Sequence, residues 1–319
     1  MRKPTFLTAF PLLLAFVLAG AHTLRAQEGE PSGSHTARMT VTLRVLGNDK
    51  RTPEVSRDDI VVKQRKKTLP VTGWTPAIGE SAGLDLFLLL DDSSDTSVSL
   101  QFEDLRAFIQ SQPLSTLVGV GYMRNGTVDI AQDFTADHDL ASKALRLPLS
   151  TGVFRSPYLS AIDLMKRWPA STNRREIVMV TDGIDRFRNW PNTHEFGYVS
   201  PDVDSASRIA QRTGTIIDTI YMNGVGRWSR NFWEVTNGQN NMARLSDATG
   251  GESYFLGTHS PVSFRPYLED INKAIANQYL LEFRVVPEKK SGIQYVNLST
   301  PIAGVELDSA DGVWVDSKR

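Results

Sequence analysis

The chain has 319 residues, 40% of them hydrophobic and 22% charged, enough for one large domain with a smaller companion. A formal net charge of −1 leaves no excess of basic residues to neutralise several phosphates, which excludes nucleic acid as the expected partner. With no cysteine at all, disulfides, thiolate metal sites, a cysteine nucleophile and lipid attachment at an N-terminal cysteine are excluded as well.

Arg2 and Lys3 precede an apolar run from Phe6 to Ala19, followed by small residues that offer cleavage after Ala21 or after Ala26. Residues 1–26 therefore read as a secretory signal peptide, and the mature chain is expected in the periplasm or outside the cell. The run falls short of the roughly 20 apolar residues of a spanning helix, so no transmembrane segment is expected in the mature chain. Residues 27–37, polar and rich in Gly, Ser and Pro, read as a flexible linker. A small β-module is expected over 38–80, with strands at Met39–Leu46, Asp59–Val62 and Leu69–Trp74. Its basic run, Lys63 to Lys67, reads as a solvated turn at a strand edge.

The rhythm changes over 81–278. Leu84–Leu90 (LDLFLLL) is a nearly continuous apolar run, the pattern of a strand buried on both faces, and Leu100, Leu105, Phe108 and Ile109 follow at helical spacing. Strands at Leu117–Met123 and Val128–Phe134 flank the hairpin pair Asn125-Gly126. Helices near Asp137–Leu145 and Tyr158–Trp168 lead to a second apolar strand, Ile177–Val180. Helix Val203–Arg212, strand Thr215–Met222, helix Met242–Ala248, strand Glu252–Leu256 and helix Pro266–Ala276 complete the alternation. Such alternation predicts an α/β fold, a doubly wound and mostly parallel sheet with helices on both faces. Strand patterns at Tyr279–Val286, Gln294–Leu298 and Gly312–Val315 place a C-terminal β-segment at 279–319, expected to pack with the N-terminal module.

In doubly wound sheets, ligands bind beyond the carboxyl ends of the strands, where the strand order reverses. Asp91-Asp92-Ser93-Ser94-Asp95 stands directly beyond the first central strand, and Thr181-Asp182-Gly183 directly beyond the later one. These residues resemble the von Willebrand factor A family, whose metal-ion-dependent adhesion site uses Asp-x-Ser-x-Ser, a Thr from a middle loop and a later Asp. MARLSDATGGESYFL, Met242 to Leu256, also looks like that family's late helix, turn and edge strand, and the resemblance covers roughly residues 38 to 286. With a β-module ahead of the domain, the arrangement is most similar to exported von Willebrand factor A-related proteins of Acidobacteria.

The resemblance implies a metal set of Asp91, Ser93, Asp95, Ser156 and Asp182, holding Mg²⁺ or Mn²⁺ through oxygen ligands. Asp95 stands where the family has Ser, and Ser156, in GVFRSPYLSAI, where it has Thr. A shifted register, Asp92-x-Ser94-x-Thr96, fits the letters but moves the first carboxylate off the strand end. A partner protein's acidic side chain would complete the metal site, and the extra carboxylate of Asp95 would repel it. Without any metal, Asp92, Ser93, Ser94 and Asp95 serve to turn the chain and cap the following helix.

Two connections at the same edge carry Arg and aromatic residues of the kind that anchor interfaces: Arg186, Arg188 and Trp190 in one, Trp228 and Trp233 in the other. The five histidines show no metal-ligand spacing. No Gly-x-Ser-x-Gly elbow is present, and Ser93 stands where an aspartate-nucleophile phosphatase needs its second Asp, so an enzyme is not expected. Three readings stay open: a cation-dependent protein-binding or adhesion module, the same scaffold with a degenerate metal site binding through its Arg and aromatic loops, and a metal-assisted hydrolase.

Overall fold

The computed structural model describes residues 35–46, 53–149, 155–186, 197–225 and 231–317. The expected signal peptide, most of the expected linker, and Arg188, Trp190 and Trp228 lie outside the described residues. The chain runs through β1 (His35–Val45), β2 (Val61–Gln64), β3 (Lys67–Leu69) and β4 (Val71–Pro76). Next come β5 (Leu84–Asp91), α1 (Phe102–Gln110), β6 (Thr116–Arg124), β7 (Thr127–Thr135), α2 (His138–Lys143), α3 (Pro157–Arg167) and β8 (Arg174–Thr181). They are followed by α4 (Pro201–Thr213), β9 (Thr215–Tyr221), α5 (Phe232–Thr249), β10 (Ser253–Tyr254) and α6 (Arg265–Ala276). The chain closes with β11 (Gln278–Val285), β12 (Gly292–Tyr295), β13 (Asn297–Ser299), β14 (Val305–Ser309) and β15 (Gly312–Val315).

Six strands form the central sheet in the order β10-β9-β8-β5-β6-β7. Every neighbouring pair is parallel except β6 and β7, whose hairpin turns through Asn125 (φ 53°) and Gly126 (φ 73°), the left-handed pair that an Asn-Gly turn supplies. The apolar run of β5 is explained by cover on both faces. Leu84, Leu86, Leu88 and Leu90 pack with α1 and α6 side chains such as Leu105, Ile109, Leu268 and Ile271. Phe87 and Leu89 meet Tyr158, Ala161 and Met165 of α3, Val203 and Ala206 of α4, and Leu245 of α5 on the opposite face. The fold is thus the doubly wound α/β class, with helices on both faces of a mostly parallel sheet.

Two local expectations are corrected. Leu100 is 78% exposed, because Thr96–Gln101 is a 3-10 stretch and the α-helical face begins only at Phe102. Helix α5 begins at Phe232, ten residues before the expected Met242, because Asn237, Gly238, Gln239 and Asn241 are buried polar or small residues that carry no apolar stripe.

A second sheet, in the order β14-β1-β11-β4, joins strands from both ends of the sequence and is antiparallel throughout. With the small sheets β13-β2-β3 and β12-β15 it encloses its own core of Val41, Leu43, Val62, Leu281, Phe283 and Val313, flanked by Trp74 stacked on Tyr279 at 4.4 Å. All these sheets belong to one compact unit, Gly33–Arg319.

Where the two sheets meet, Gln278 at the start of β11 donates to Glu176 of β8 (2.8 Å) and accepts from Arg174. Glu176 is hydrogen-bonded to Asp218 of β9, which accepts from the Glu252 amide at 2.8 Å. Burial pushes Asp218 well above its ordinary 3.8, and the neighbouring Glu176 carboxylate adds to the shift. Because the folded-state value is raised, its contribution to stability is complete below 3.8 and lost as pH rises through the folded-state value. Asp218→Asn, neutral at every pH and still able to accept from Glu252, should gain thermal midpoint over the native chain as pH is raised above 4. An advantage that does not vary with pH would contradict the raised Asp218 carboxyl.

Candidate functional site

The order of the central sheet reverses between β5 and β8: the chain proceeds from β5 to β6 and β7 on one side, and from β8 to β9 and β10 on the other. The crevice at such a reversal is open because the following connections leave in opposite directions. Asp91 is the last residue of β5 and Thr181 the last of β8, so both motifs stand at this point.

Asp91 accepts at Oδ1 from the Ser93 amide (2.9 Å) and hydroxyl (2.5 Å), and at Oδ2 from the Thr181 hydroxyl (2.8 Å). Its side chain pins the turn that starts there and ties the two strand ends together. Asp92 points elsewhere, accepting from Arg146 at 2.7 Å and from the Leu149 amide at 2.8 Å. Asp91 rather than Asp92 therefore faces the second motif, and Thr96 of the shifted register is exposed.

The two positions that depart from the family letters are both helix caps. Ser156 is buried as the N-cap of α3, accepting from the Leu159 amide at 3.3 Å, with Pro157 in the first turn. Asp95 caps the 3-10 stretch through the Ser97 amide (2.9 Å) and lines a hollow of about 560 Å³ with Asn223, Phe232, His259 and Ser260. Asp91, Ser93 and Ser156 instead line a separate cavity of about 10 Å³, the space of a single water. Of the five expected metal ligands, Asp91, Ser93 and Ser156 share this cavity, while capping turns Asp95 outward.

Asp182 closes the constellation from behind. Its side chain has no solvent exposure, Oδ1 accepts from the Ile184 amide at 3.0 Å, and among the described residues Oδ2 has no hydrogen-bond partner. Facing Oδ2 at 3.6 Å is Nη1 of Arg155, also without a hydrogen bond, and it is Arg155 rather than Asp182 that lines the small cavity. Burial, followed by the charge of Asp91, raises the Asp182 carboxyl to about 6, against the pull of Arg155. Arg155 and Thr181 are the site residues that sequence reasoning left without a role. The signal for Arg155 was a basic residue immediately ahead of the middle-loop hydroxyl position.

A resident divalent ion does not fit this arrangement. Mg²⁺ or Mn²⁺ requires oxygen lone pairs converging on one point, and a guanidinium already faces the buried Oδ2 of Asp182. A second cation beside it would meet like-charge repulsion in a water-poor setting. Asp91 is engaged by three donors, and Asp95 faces another hollow. Among the described residues, no group of three or more His, Cys, Asp or Glu side chains is arranged to hold a metal ion.

Of the loop residues, Arg186 pairs with the buried Glu234 of α5 and so is committed inward rather than presented as an anchor. Trp233, in the first turn of α5, is 46% exposed beside Phe232, 58% exposed. No helix of the described residues is long and apolar enough to cross a membrane.

No family model matches the chain, and no curated protein matches it. Solved structures similar to it include BatB, a conserved hypothetical protein from Bacteroides thetaiotaomicron, at 12% identity over 61% of this chain and 98% of that one, with a TM-score of 0.43. Proximal thread matrix protein 1 from the mussel byssus, with a zinc-occupied MIDAS motif, is 12% identical over 62% of this chain and 46% of that one, with a TM-score of 0.40. The VWA domain of SpRpn10 is 10% identical over 59% of this chain and 93% of that one, with a TM-score of 0.35. The site described above is built from this chain's own residues.

The backbone of the site is set by a glycine-to-glycine contact. Gly183 turns with φ 68° after Asp182, and a Cβ on Gly238 of α5 would lie 2.2 Å from the Asp182 carbonyl oxygen. Tyr158 of α3 fastens the same turn, donating to the Gly183 carbonyl at 2.8 Å. Gly238→Ala must therefore displace α5 or the turn, and overpacking of this kind costs about 1–3 kcal/mol. Chemical denaturation should register that loss, whereas an unchanged unfolding midpoint would mean that the contact does not set the turn.

Proposed function

We propose that this chain is an exported, von Willebrand factor A-like interaction module that meets a protein partner at the carboxyl edge of its central sheet and performs no bond chemistry. The observation that carries the reading is the pairing, at that edge, of a closed polar site with exposed aromatics. Phe232 and Trp233 stand edge to face at 5.2 Å, and Phe232 borders the hollow of Asp95, Asn223 and His259. Large exposed aromatic side chains beside fixed polar groups are what interface centres use.

The family reading is supported by Asp91-x-Ser93 after β5, Ser156 ahead of α3 and Asp182-Gly183 after β8, all on one edge of a doubly wound sheet. Export is supported by the basic start and short apolar run of the first 26 residues. Against a hydrolase stands the state of the carboxylates: Asp91 and Asp92 both accept hydrogen bonds within the chain, and Asp182 lies behind Arg155. The Mg²⁺ or Mn²⁺ implied by the resemblance has no part in this reading, because the residues do not fit it.

A photo-crosslinking amino acid placed at Trp233 should form a discrete adduct with one partner protein in the producing cells. The control position, Leu114, is 84% exposed and precedes β6 at the opposite edge. Equal adducts from both positions, or adducts from Leu114 alone, would exclude this edge as the docking surface.

A further inference from the structure

Asp91 and Asp182 are both buried, and nothing neutralises a buried carboxylate pair except a cation or a proton. The cation is present within the chain. The Arg155 side chain is 15% exposed, and its Nη1 faces Asp182 at 3.6 Å. Nη2 donates to the Val225 carbonyl at 3.0 Å, and the Val225 amide donates in turn to the Ser93 carbonyl at 3.0 Å. Its own carbonyl accepts from the Arg186 amide at 2.7 Å, which ties Arg155 to the loop after β8. The guanidinium thus meets the loops that follow β8 and β9, and Val225 relays the second contact to the loop that follows β5.

We propose that Arg155 is the resident cation of this site, standing where the family resemblance places a divalent ion, so that the edge folds and binds its partner without metal. The binding half of this statement rests on the interaction-surface reading; the charge half does not. A planar guanidinium offers fixed donor directions and, unlike a bound ion, cannot dissociate or be chelated. Ser156, next in sequence, caps α3 and so fixes where the guanidinium begins. The unpaired Nη1 and Oδ2 mark the contact as a charge pairing rather than a hydrogen bond.

The test uses thermal unfolding of the full chain, stripped with chelator and then titrated with Mg²⁺ and Mn²⁺. The native midpoint should stay within about 1 °C throughout, since an ion that does not bind the folded state cannot stabilise it. Arg155→Gln, which removes the charge, should lower the midpoint by about 5–10 °C, the scale of breaking one partner of a buried pair in a domain of this size. Arg155→Lys should recover most of that loss. In an Asp182→Asn background the effect of Arg155→Gln should shrink, because the charge it answers has gone. A saturable rise of the native midpoint with either ion, abolished by Asp182→Asn, would overturn the proposal. So would an Arg155→Gln effect that is the same with and without Asp182. Neither readout involves a partner, so failure here leaves the docking surface standing, and failure of the crosslinking leaves the charge assignment standing.

Discussion

Two carboxylates buried at adjacent strand ends set the problem that the carboxyl edge of this protein solves. Taking Asp91 and Asp182 out of water is costly, and the surrounding sequence answers each of them separately. Asp91 is met by neutral donors from its own turn and from Thr181, which also lock β5 to β8. Asp182 is met by one amide and by a charge from the middle loop. The turn geometry at Gly183, the approach of α5 through Gly238, and the position of α3 under its Ser156 cap all hold these answers in register. The edge is therefore a self-contained electrostatic unit, with the exposed pair Phe232 and Trp233 beside it rather than part of it.

Much of the fold was legible because burial on both faces leaves an unambiguous trace. LDLFLLL can hardly be anything but a central strand, and Asn125-Gly126 can hardly be anything but a hairpin turn. Legibility failed where polar residues are buried or apolar ones exposed. The first half of α5 reads as a loop because its polar residues are buried, with Asn237 accepting from the Gly197 amide and Gln239 donating to the Gly257 carbonyl. Strand β14 (VELDS) was not anticipated at all, since three of its five residues are polar and its partner β1 lies far away in sequence.

The site was legible in position but not in chemistry. The ends of the two apolar strands can be located from alternation, which is why Asp91, Ser93 and Asp182 were found there, whereas Ser156, the cap of a helix, was placed by the family resemblance. What a side chain does at such an end depends on whether it turns inward or caps a helix, and Asp95 and Ser93, two residues apart, do opposite things. The one signal for Arg155 was its place immediately ahead of Ser156, a weak one because a lone arginine in a loop is ordinarily a surface residue.

The second sheet has a different kind of consequence. Strand β1, the first strand of the described chain, is held between β11 and β14, and both of its partners come from the last part of the sequence. For a chain that emerges amino end first, this strand must wait unpaired while the whole α/β portion is made. Non-local pairings of this kind close late, because their loop-closure entropy comes before any contact rewards it. The molecule thus has a built-in order of assembly, in which the outer sheet acts as a check on the completeness of the chain. A chain truncated before β11 would leave the apolar face of β1 exposed, the surface on which aggregation begins.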